Sequence, residues 1–425
     1  MAHRLPVHEK PGPGAVEYRE ALGFAIRRTG CLSRPSGGAH RFGTGGHLLL
    51  SGHRASRTLQ RPLFHCDFNG QASSSVHSFA LKPKGAGFEM TDRSQIIRGV
   101  LCTDVCFGPQ GGLFVSDWVV GWAKTGKGRI YRLIDEKRAK SDLVDQTRTL
   151  LADGMGKHSD KELGGLLSHV DQRVRSEAPF ALAERGSRSI DILADVAVHG
   201  KGRLARIHAI WGLEQIGRKD VSATGRLLSL LRDKDSEIRA QAAKMLGERR
   251  TVEAQDSLVE LLKDEEPRVR FLAAISLGKM GSQDSMEPVL EMIRHNADHD
   301  PYLRHAGVMA LHGVADVQKI VGLSTDESRS VRMAAALALR RLERPEISAF
   351  LGDPDPMIVL EKARMINDVP ISGAMTELAS PIPCYAAWST PTCAWGMPTP
   401  RPRSPPSLPR RMRPDTSLGS VAELG

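Results

Sequence analysis

The side chains best suited to metal chemistry cluster between residues 295 and 305. His295 and His299 are four residues apart, so on one continuous helix they would share a face and could bind the same ion. However, Asn296 and the pair Asp300 and Pro301 are typical of a helix end followed by a new helix start. We therefore predict a solvated loop between two helices and keep a metal site at His295 and His299 as the alternative.

Arginine recurs at a nearly constant interval through the middle of the chain. Intervals of 28 to 34 residues separate six arginines, which are Arg175, Arg206, Arg239, Arg270, Arg304 and Arg332. One interpretation is a row of guanidinium groups that binds an anion. We favour the other, in which each arginine lies early in a helix and bonds a neighbouring aspartate or a helix-end carbonyl group.

Other segments resemble catalytic or metal-binding motifs but lack a residue or a spacing that the motif requires. Residues 121–128 nearly form a phosphate-binding loop, but Gly128 stands where Ser or Thr would hold magnesium, and a strand is predicted to follow. Cys102 and Cys106 would lie about 13 Å apart on a strand, which is too far for a disulfide or a shared zinc ion. The sequence contains no serine-hydrolase, zinc-protease or EF-hand motif. We predict no catalytic residues and no cofactor, and we do not expect this chain alone to be an enzyme.

The arginine interval marks a repeated pair of amphipathic helices. Within residues 251–281, Leu258 and Leu262 lie on one face of a first helix, an acidic segment ending in proline breaks it, and Gly281 ends a second helix. Such a pair cannot bury its apolar faces alone, but stacked neighbours can. The sequence therefore predicts a mainly α fold, with an α-solenoid of six to seven helix pairs over residues 143–370.

Residues 61–135 instead show the two-residue alternation of short antiparallel strands. The clearest signal is a strand at 103–107, a Gly/Pro turn, and a strand at 113–118, which together predict a β-hairpin. Further alternating segments predict strands at 63–68, 76–81 and 128–133. We predict a short antiparallel β segment ahead of the solenoid.

The two ends of the chain differ in composition from the rest. Residues 1–60 are rich in Gly, Arg, Ser and His, and residues 376–425 carry 10 of the 25 prolines. We predict a disordered basic segment at the N-terminus and a disordered Pro-rich tail. The net charge is +10, but residues 63–375 contribute only +1, so nucleic-acid binding is not expected. The sequence shows no apolar run long enough to span a membrane and no signal peptide at its start.

The helical part resembles a known repeat family. Residues 266–281, EPRVRFLAAISLGKMG, resemble a HEAT repeat of the short kind found in phycobilin-lyase-like proteins. The resemblance covers residues 143–370 and implies a stack of helices whose surface binds a protein partner. It also raises chromophore-lyase-like chemistry as an alternative function.

The β part carries a second resemblance. Residues 104–118, DVCFGPQGGLFVSDW, resemble a blade of sorbosone-dehydrogenase-like β-propellers. In large exported bacterial proteins of that kind a propeller precedes HEAT repeats and a cytochrome c domain, which implies quinone and haem c as cofactors. In a complete propeller Asp104 and Asp117 would line the channel. Here we assign them structural roles, because one or two blades do not close a propeller.

The chain departs from that second family in a further respect, because it has no Cys-x-x-Cys-His motif for haem attachment. We predict a fragment of a larger exported protein and leave its compartment open. The leading functional prediction is a protein-protein interaction or scaffold module carried by the solenoid surface. The alternatives are a remnant of a propeller-type oxidoreductase and a chromophore-lyase-like protein, and resemblance of fold does not decide between them.

Overall fold

The structure of the protein, a computed structural model, describes residues 49–50, 63–120 and 126–379. Within these residues the predicted fold is confirmed, with an antiparallel β segment followed by an α-solenoid. The disorder predicted for residues 1–60 and 376–425 falls almost entirely outside the described residues.

Two antiparallel sheets make up the described β segment. The first sheet has the strand order β1-β2-β3-β4 and the second has the order β5-β6-β7. The strands are β1 Leu49–Leu50, β2 Leu63–Asp67, β3 Ser75–Lys84, β4 Gly87–Arg98, β5 Cys102–Phe107, β6 Leu113–Asp117 and β7 Arg129–Leu133. All five strands that the alternation predicts are present.

The predicted hairpin between β5 and β6 is confirmed. Gly108 donates its backbone N–H to the Gly112 carbonyl oxygen at 2.8 Å, and Gly111 adopts a φ of +74°, which glycine tolerates without strain. Val105 and Val115 pair across the hairpin and belong to a small apolar core that is shared with the first sheet. The core joins the two sheets because each alone has too little apolar surface to bury.

The sequence does not predict β4, which is the longest strand. Most of its side chains are exposed or half-buried, so no apolar alternation marks it. Its pairing with β3 is also irregular, with register shifts near Val76 and Ser78, and Asp92 has a φ of +52°. A strand that buries little on either face leaves no two-residue pattern to detect.

Helices follow from residue 136 onward in the described chain. They are α1 Glu136–Ala139, α2 Asp142–Asp153, α3 Asp160–Leu166, α4 Gln172–Glu184, α5 Ile190–His199, α6 Arg203–Gly217, α7 Val221–Gly225, α8 Ser236–Glu248, α9 Gln255–Glu260, α10 Pro267–Met280, α11 Met286–Asn296, α12 Pro301–Val314, α13 Val317–Gly322, α14 Arg329–Arg341, α15 Pro356–Asp368 and α16 Ser372–Ala379. The 3-10 turns are Gly186–Ser189, Leu228–Arg232, Val252–Ala254, Leu261–Lys263, Gln283–Ser285, Leu323–Thr325 and Pro345–Phe350.

From α3 to α15 the described chain forms seven pairs, each with a shorter first element and a longer second helix, and in the last pair the first element is the 3-10 turn Pro345–Phe350. The second helices are α4, α6, α8, α10, α12, α14 and α15, and each packs against the next. One apolar core runs through all the pairs, from Leu163 in α3 to Ile366 in α15. Among the helices described here, none has both the length and the apolar character to cross a bilayer.

The second helices begin where the sequence places capping residues. The side chains of Asp235, Asp300 and Asp355 each accept a hydrogen bond from the backbone N–H two residues further on. The unit used for the prediction is confirmed: α10 spans Pro267–Met280 and ends at Gly281, which has a φ of +70°.

Candidate interaction surface

The six repeat arginines lie near the starts of successive second helices. Arg239 on α8 donates from Nε and Nη2 to the carboxylate of Asp264 in the next pair, at 2.8 and 2.9 Å. Its Nη1 also donates to the backbone oxygen of Asp233 at 2.8 Å. Arg332 on α14 binds the carboxylate of Asp353 in the same way, at 2.8 and 3.2 Å. These arginines tie one helix pair to the next.

The other four arginines bind groups in the loops. Arg206 pairs with the carboxylate of Asp233 in the next pair, and Arg304 lies 3.4 Å from a carboxylate in the loop before its own helix. Backbone oxygens 2.6 Å away accept from Arg175 and Arg270. These contacts support the structural interpretation over the anion-binding one, and the interpretation stays a prediction.

His295 and His299 lie on different elements. α11 ends between them, and Ala297 adopts a left-handed φ of +43°, so His299 belongs to the loop. Its Nδ1 lies 2.9 Å from a backbone oxygen at the end of α11. Within the part of the chain that the structure describes, no three side chains of His, Cys, Asp or Glu are grouped to hold a metal ion. The metal site therefore stays a prediction without structural support.

The outward side chains of the second helices form a continuous surface, which we call the second-helix face. On α10 it consists of Arg268, Phe271, Ile275 and Lys279, spaced three to four residues apart so that they share one side of the helix. Three of these side chains are half-buried and Lys279 is exposed. The face therefore offers apolar and charged groups together.

Side chains on adjacent second helices bind each other across this face. Arg268 donates from Nε to a carboxylate oxygen of Glu237 on α8 at 2.9 Å. The ring of Phe271 packs edge-on against the ring of Tyr302 on α12, with centroids 6.4 Å apart. Side chains of three consecutive helices are thus in contact, which makes the face one surface rather than separate ridges.

The same surface extends toward the first pairs through Trp211 on α6. Its Nε1 donates to Oε1 of Gln241 on α8 at 3.1 Å, and the Gln241 amide donates in turn to Glu237 at 2.7 Å. On α8, burial lowers the pKa of the Lys244 ammonium group, while the carboxylate of Glu248 raises it. The half-buried ammonium group of Lys244 therefore adds a further positive charge near Arg268 and Lys279.

The tip of the β3–β4 hairpin covers one edge of the second-helix face. Ala86 donates its backbone N–H to Oδ2 of Asp300 at 2.7 Å, and its methyl group joins the core of the solenoid. The Phe88 ring lies 5.2 Å from the guanidinium carbon of Arg268. A side chain at position 87 would collide with a tyrosine ring on α12, so Gly87 permits this close approach.

A second contact attaches the β segment to the first helix pair. Arg173 on α4 donates from Nη1 to the backbone oxygen of Phe107, at the end of β5, at 2.9 Å. The guanidinium is held in place by the buried carboxylate of Asp171, at 3.0 Å from Nε and 2.8 Å from Nη2. The β segment is therefore fixed at pair one and again at pair five.

Replacing Gly87 by alanine is expected to release the hairpin tip and to lower the free energy of unfolding by about 1–2 kcal/mol. The added methyl group would overlap the ring of Tyr302 on α12. Amide hydrogen exchange at Ala86 should become faster. Gly128→Ala is the matched control, because its methyl group would meet only a backbone oxygen at an ordinary 3.7 Å. Unchanged exchange at Ala86 in the Gly87 variant would show that the contact does not hold the tip.

The sequence did not indicate which cysteines are neighbours. Cys102 on β5 lies beside Cys66 on β2, whereas Cys106 is exposed. The hydrogen bond to Cys102 and burial raise the pKa of the Cys66 thiol. Cys102 donates from Sγ to the backbone oxygen of Ser75 at 2.9 Å. Cys66 and Cys102 become neighbours because the two sheets pack against each other, and the spacing of cysteines in the sequence does not reveal that packing.

The fold and its repeated contacts define an α-solenoid of stacked helix pairs. Residues 224–312, in the middle of the array, match the family model described as HEAT repeats. No curated protein matches the chain.

Several solved structures are similar to the chain at low sequence identity. The complex of CpcE and CpcF of phycocyanin lyase from Nostoc sp. PCC7120 is 16% identical, with 52% of this chain and 93% of that chain covered and a TM-score of 0.32. YibA of E. coli is 19% identical, with 53% and 94% covered and a TM-score of 0.35. Human deoxyhypusine hydroxylase in complex with glycerol is 21% identical, with 50% and 81% covered and a TM-score of 0.24. At these TM-scores the likenesses define neither the fold nor the function of this chain, and none supports a dehydrogenase propeller at residues 104–118.

Proposed function

We propose that the protein is a binding scaffold, whose solenoid holds a protein partner on the second-helix face. The observation that carries this proposal is the chain of contacts Trp211, Gln241, Glu237 and Arg268, which joins the three consecutive second helices α6, α8 and α10 into one surface. Stacking extends such a surface from one pair to the next along the array, so it suits a long partner segment.

The chemistry of the face also favours a protein partner. Aromatic residues and arginine are enriched where proteins meet, and Trp211, Phe271 and Arg268 supply these side chains here. The exposed side chains of Glu248 and Lys279 form an ion pair beside them. Charged groups around apolar ones set the orientation of a partner more than its affinity.

Photo-crosslinking tests the proposal. A photoreactive amino acid placed at Lys279, on the second-helix face, is expected to form adducts with a specific partner. The matched control position is Val252, which is 72% exposed on the opposite, first-element side of the same helix pair. The captured protein, once purified, is then titrated against Lys279→Glu and Val252→Glu variants. We expect at least about tenfold weaker binding for Lys279→Glu and little change for Val252→Glu. Equal capture at both positions, or equal affinity of both variants, would contradict the proposal.

The two enzyme functions that the resemblances imply stay predictions. No contact among the described residues favours either one. Redox turnover with added quinone or haem would detect the oxidoreductase function. A change in absorbance after incubation with a bilin would detect chromophore-lyase-like chemistry.

A further inference from the structure

A basic cleft opens between α12 and α14, where pairs five and six meet. Its volume is about 520 Å³, and its lining includes Arg304, His305, Arg340 and Arg341 but only one acidic side chain, Glu343. Arginine and histidine from two different helices therefore face one space. A protein concentrates like charges in this way at some cost in stability, unless an anion compensates for it.

Two of these arginines differ from the six repeat arginines in their lack of partners. Arg340 and Arg341 form no ion pair or side-chain hydrogen bond with any residue that the structure describes. By contrast, Arg304 across the cleft pairs with Asp298 at 3.4 Å, and Arg332 in the same helix as the two arginines binds Asp353. The guanidinium donors of Arg340 and Arg341 are available to a ligand.

The position of the two arginines in the last turn of α14 has an alternative explanation, since cations stabilise the C-terminal end of a helix. That explanation does not extend to Arg304 and His305, which lie in the first turns of α12, where a positive charge is unfavourable. The cleft thus unites basic groups that no single helix end accounts for.

We propose that this cleft binds a carboxylate-rich segment of a protein partner, an inference that rests on the proposed scaffold function. Arginine binds carboxylates through paired, charge-assisted hydrogen bonds. Between the basic groups the cleft is lined by the apolar side chains of Val308 and Leu337, so an acidic segment with interspersed apolar residues fits better than a bare anion. Nucleic acid fits less well, because residues 63–375 carry a net charge of only +1.

Fluorescence anisotropy with a labelled peptide of alternating glutamate and leucine tests the proposal. The double variant Arg340→Glu/Arg341→Glu is expected to weaken binding of this peptide by at least about tenfold, and Arg340→Gln/Arg341→Gln by less. The matched control is Arg226→Glu/Arg232→Glu, which changes the net charge equally at two exposed arginines on the first-element side of pair three. We expect the control to alter binding by less than about twofold. Thermal melting of each variant verifies that it is folded.

Three outcomes would overturn the proposal. They are no binding of the peptide by the wild-type protein, equal weakening in the cleft and control variants, and tighter binding of single-stranded DNA than of the peptide at the cleft. Binding measurements with the partner captured at Lys279 distinguish a failure of this proposal from a failure of the scaffold function. If that partner binds the cleft variant with full affinity, the cleft proposal is wrong while the scaffold function stands. If no partner is captured on the face, the scaffold function fails whatever the peptide does.

Discussion

Replacing Arg332 by alanine is expected to lower the free energy of unfolding by about 3–5 kcal/mol. The substitution leaves the carboxylate of Asp353, which is fully buried, without its guanidinium partner. It also removes the hydrogen bonds that Arg332 donates to the backbone oxygens of Asp326 and Glu327, at 2.9 and 3.1 Å. Chemical denaturation followed by circular dichroism would measure the loss.

The matched control for this prediction is an arginine pair on the surface. Arg226 binds Asp191 at 2.8 Å, but both side chains are more than half exposed, so Arg226→Ala should cost at most about 1 kcal/mol. Arg332→Lys is expected to recover only part of the loss, because an ammonium group cannot reproduce the two-point contact with Asp353. Similar losses for Arg332→Ala and Arg226→Ala would refute a stabilising role of the buried pair.

Replacing Lys362 by methionine is expected to stabilise the protein by about 2 kcal/mol near neutral pH. Lys362 on α15 is fully buried, and burial lowers the pKa of its ammonium group to about 8. Its Nζ lies 3.6 Å from the sulfur of Met333 and 5.5 Å from the ring centroid of Phe350, and the carboxylates of Asp353 and Glu361 offset the effect of burial only in part. Methionine has a similar length and carries no charge to desolvate.

The same lysine should make stability depend on alkaline pH. Its pKa is about 8 in the folded protein and 10.5 in the unfolded chain, so between these values the unfolded chain binds more protons. The contribution of Lys362 to the free energy of unfolding should therefore rise with pH over this window and be level on either side of it. Urea unfolding of the wild-type protein at a series of pH values would measure the rise, and Lys362→Met should reduce it to the part that the lowered pKa of Lys244 still contributes. Lys319→Met, at a lysine with a 60% exposed side chain, is the control and should leave the rise unchanged. A rise of equal size in Lys362→Met would disprove the assignment.

The solenoid could be predicted from the sequence because its repeats share local signals. Caps such as Asp300 and a closing glycine such as Gly281 act within a few residues, and the arginine interval marks the same position in successive pairs. Each signal reflects backbone chemistry or burial in a single pair. Stacking then follows, since each pair has an apolar face that only a neighbour can cover.

The features that the sequence did not reveal depend on contacts between distant residues. In sequence Lys362 looks like an ordinary surface lysine. It is the seventh residue of α15, and the seventh residue of α14, Ala335, is a buried core residue, so Lys362 occupies a core position of its repeat. Ala86 reaches Asp300 from 214 residues away, and no local pattern predicts that contact. The residues of the second-helix face likewise became identifiable only from the pairs they form across helices.

The attachment of the β segment at Arg173 and at Asp300 changes how the array should lose its structure on heating. A plain stack of repeats is held only by contacts between neighbours, so its ends can fray one unit at a time. A brace from the first pair to the fifth forces these pairs to unravel as one cooperative block. Pairs six and seven lie outside the braced block, so we expect them to unfold first. The basic cleft lies at the boundary between the braced pairs, one to five, and these two pairs.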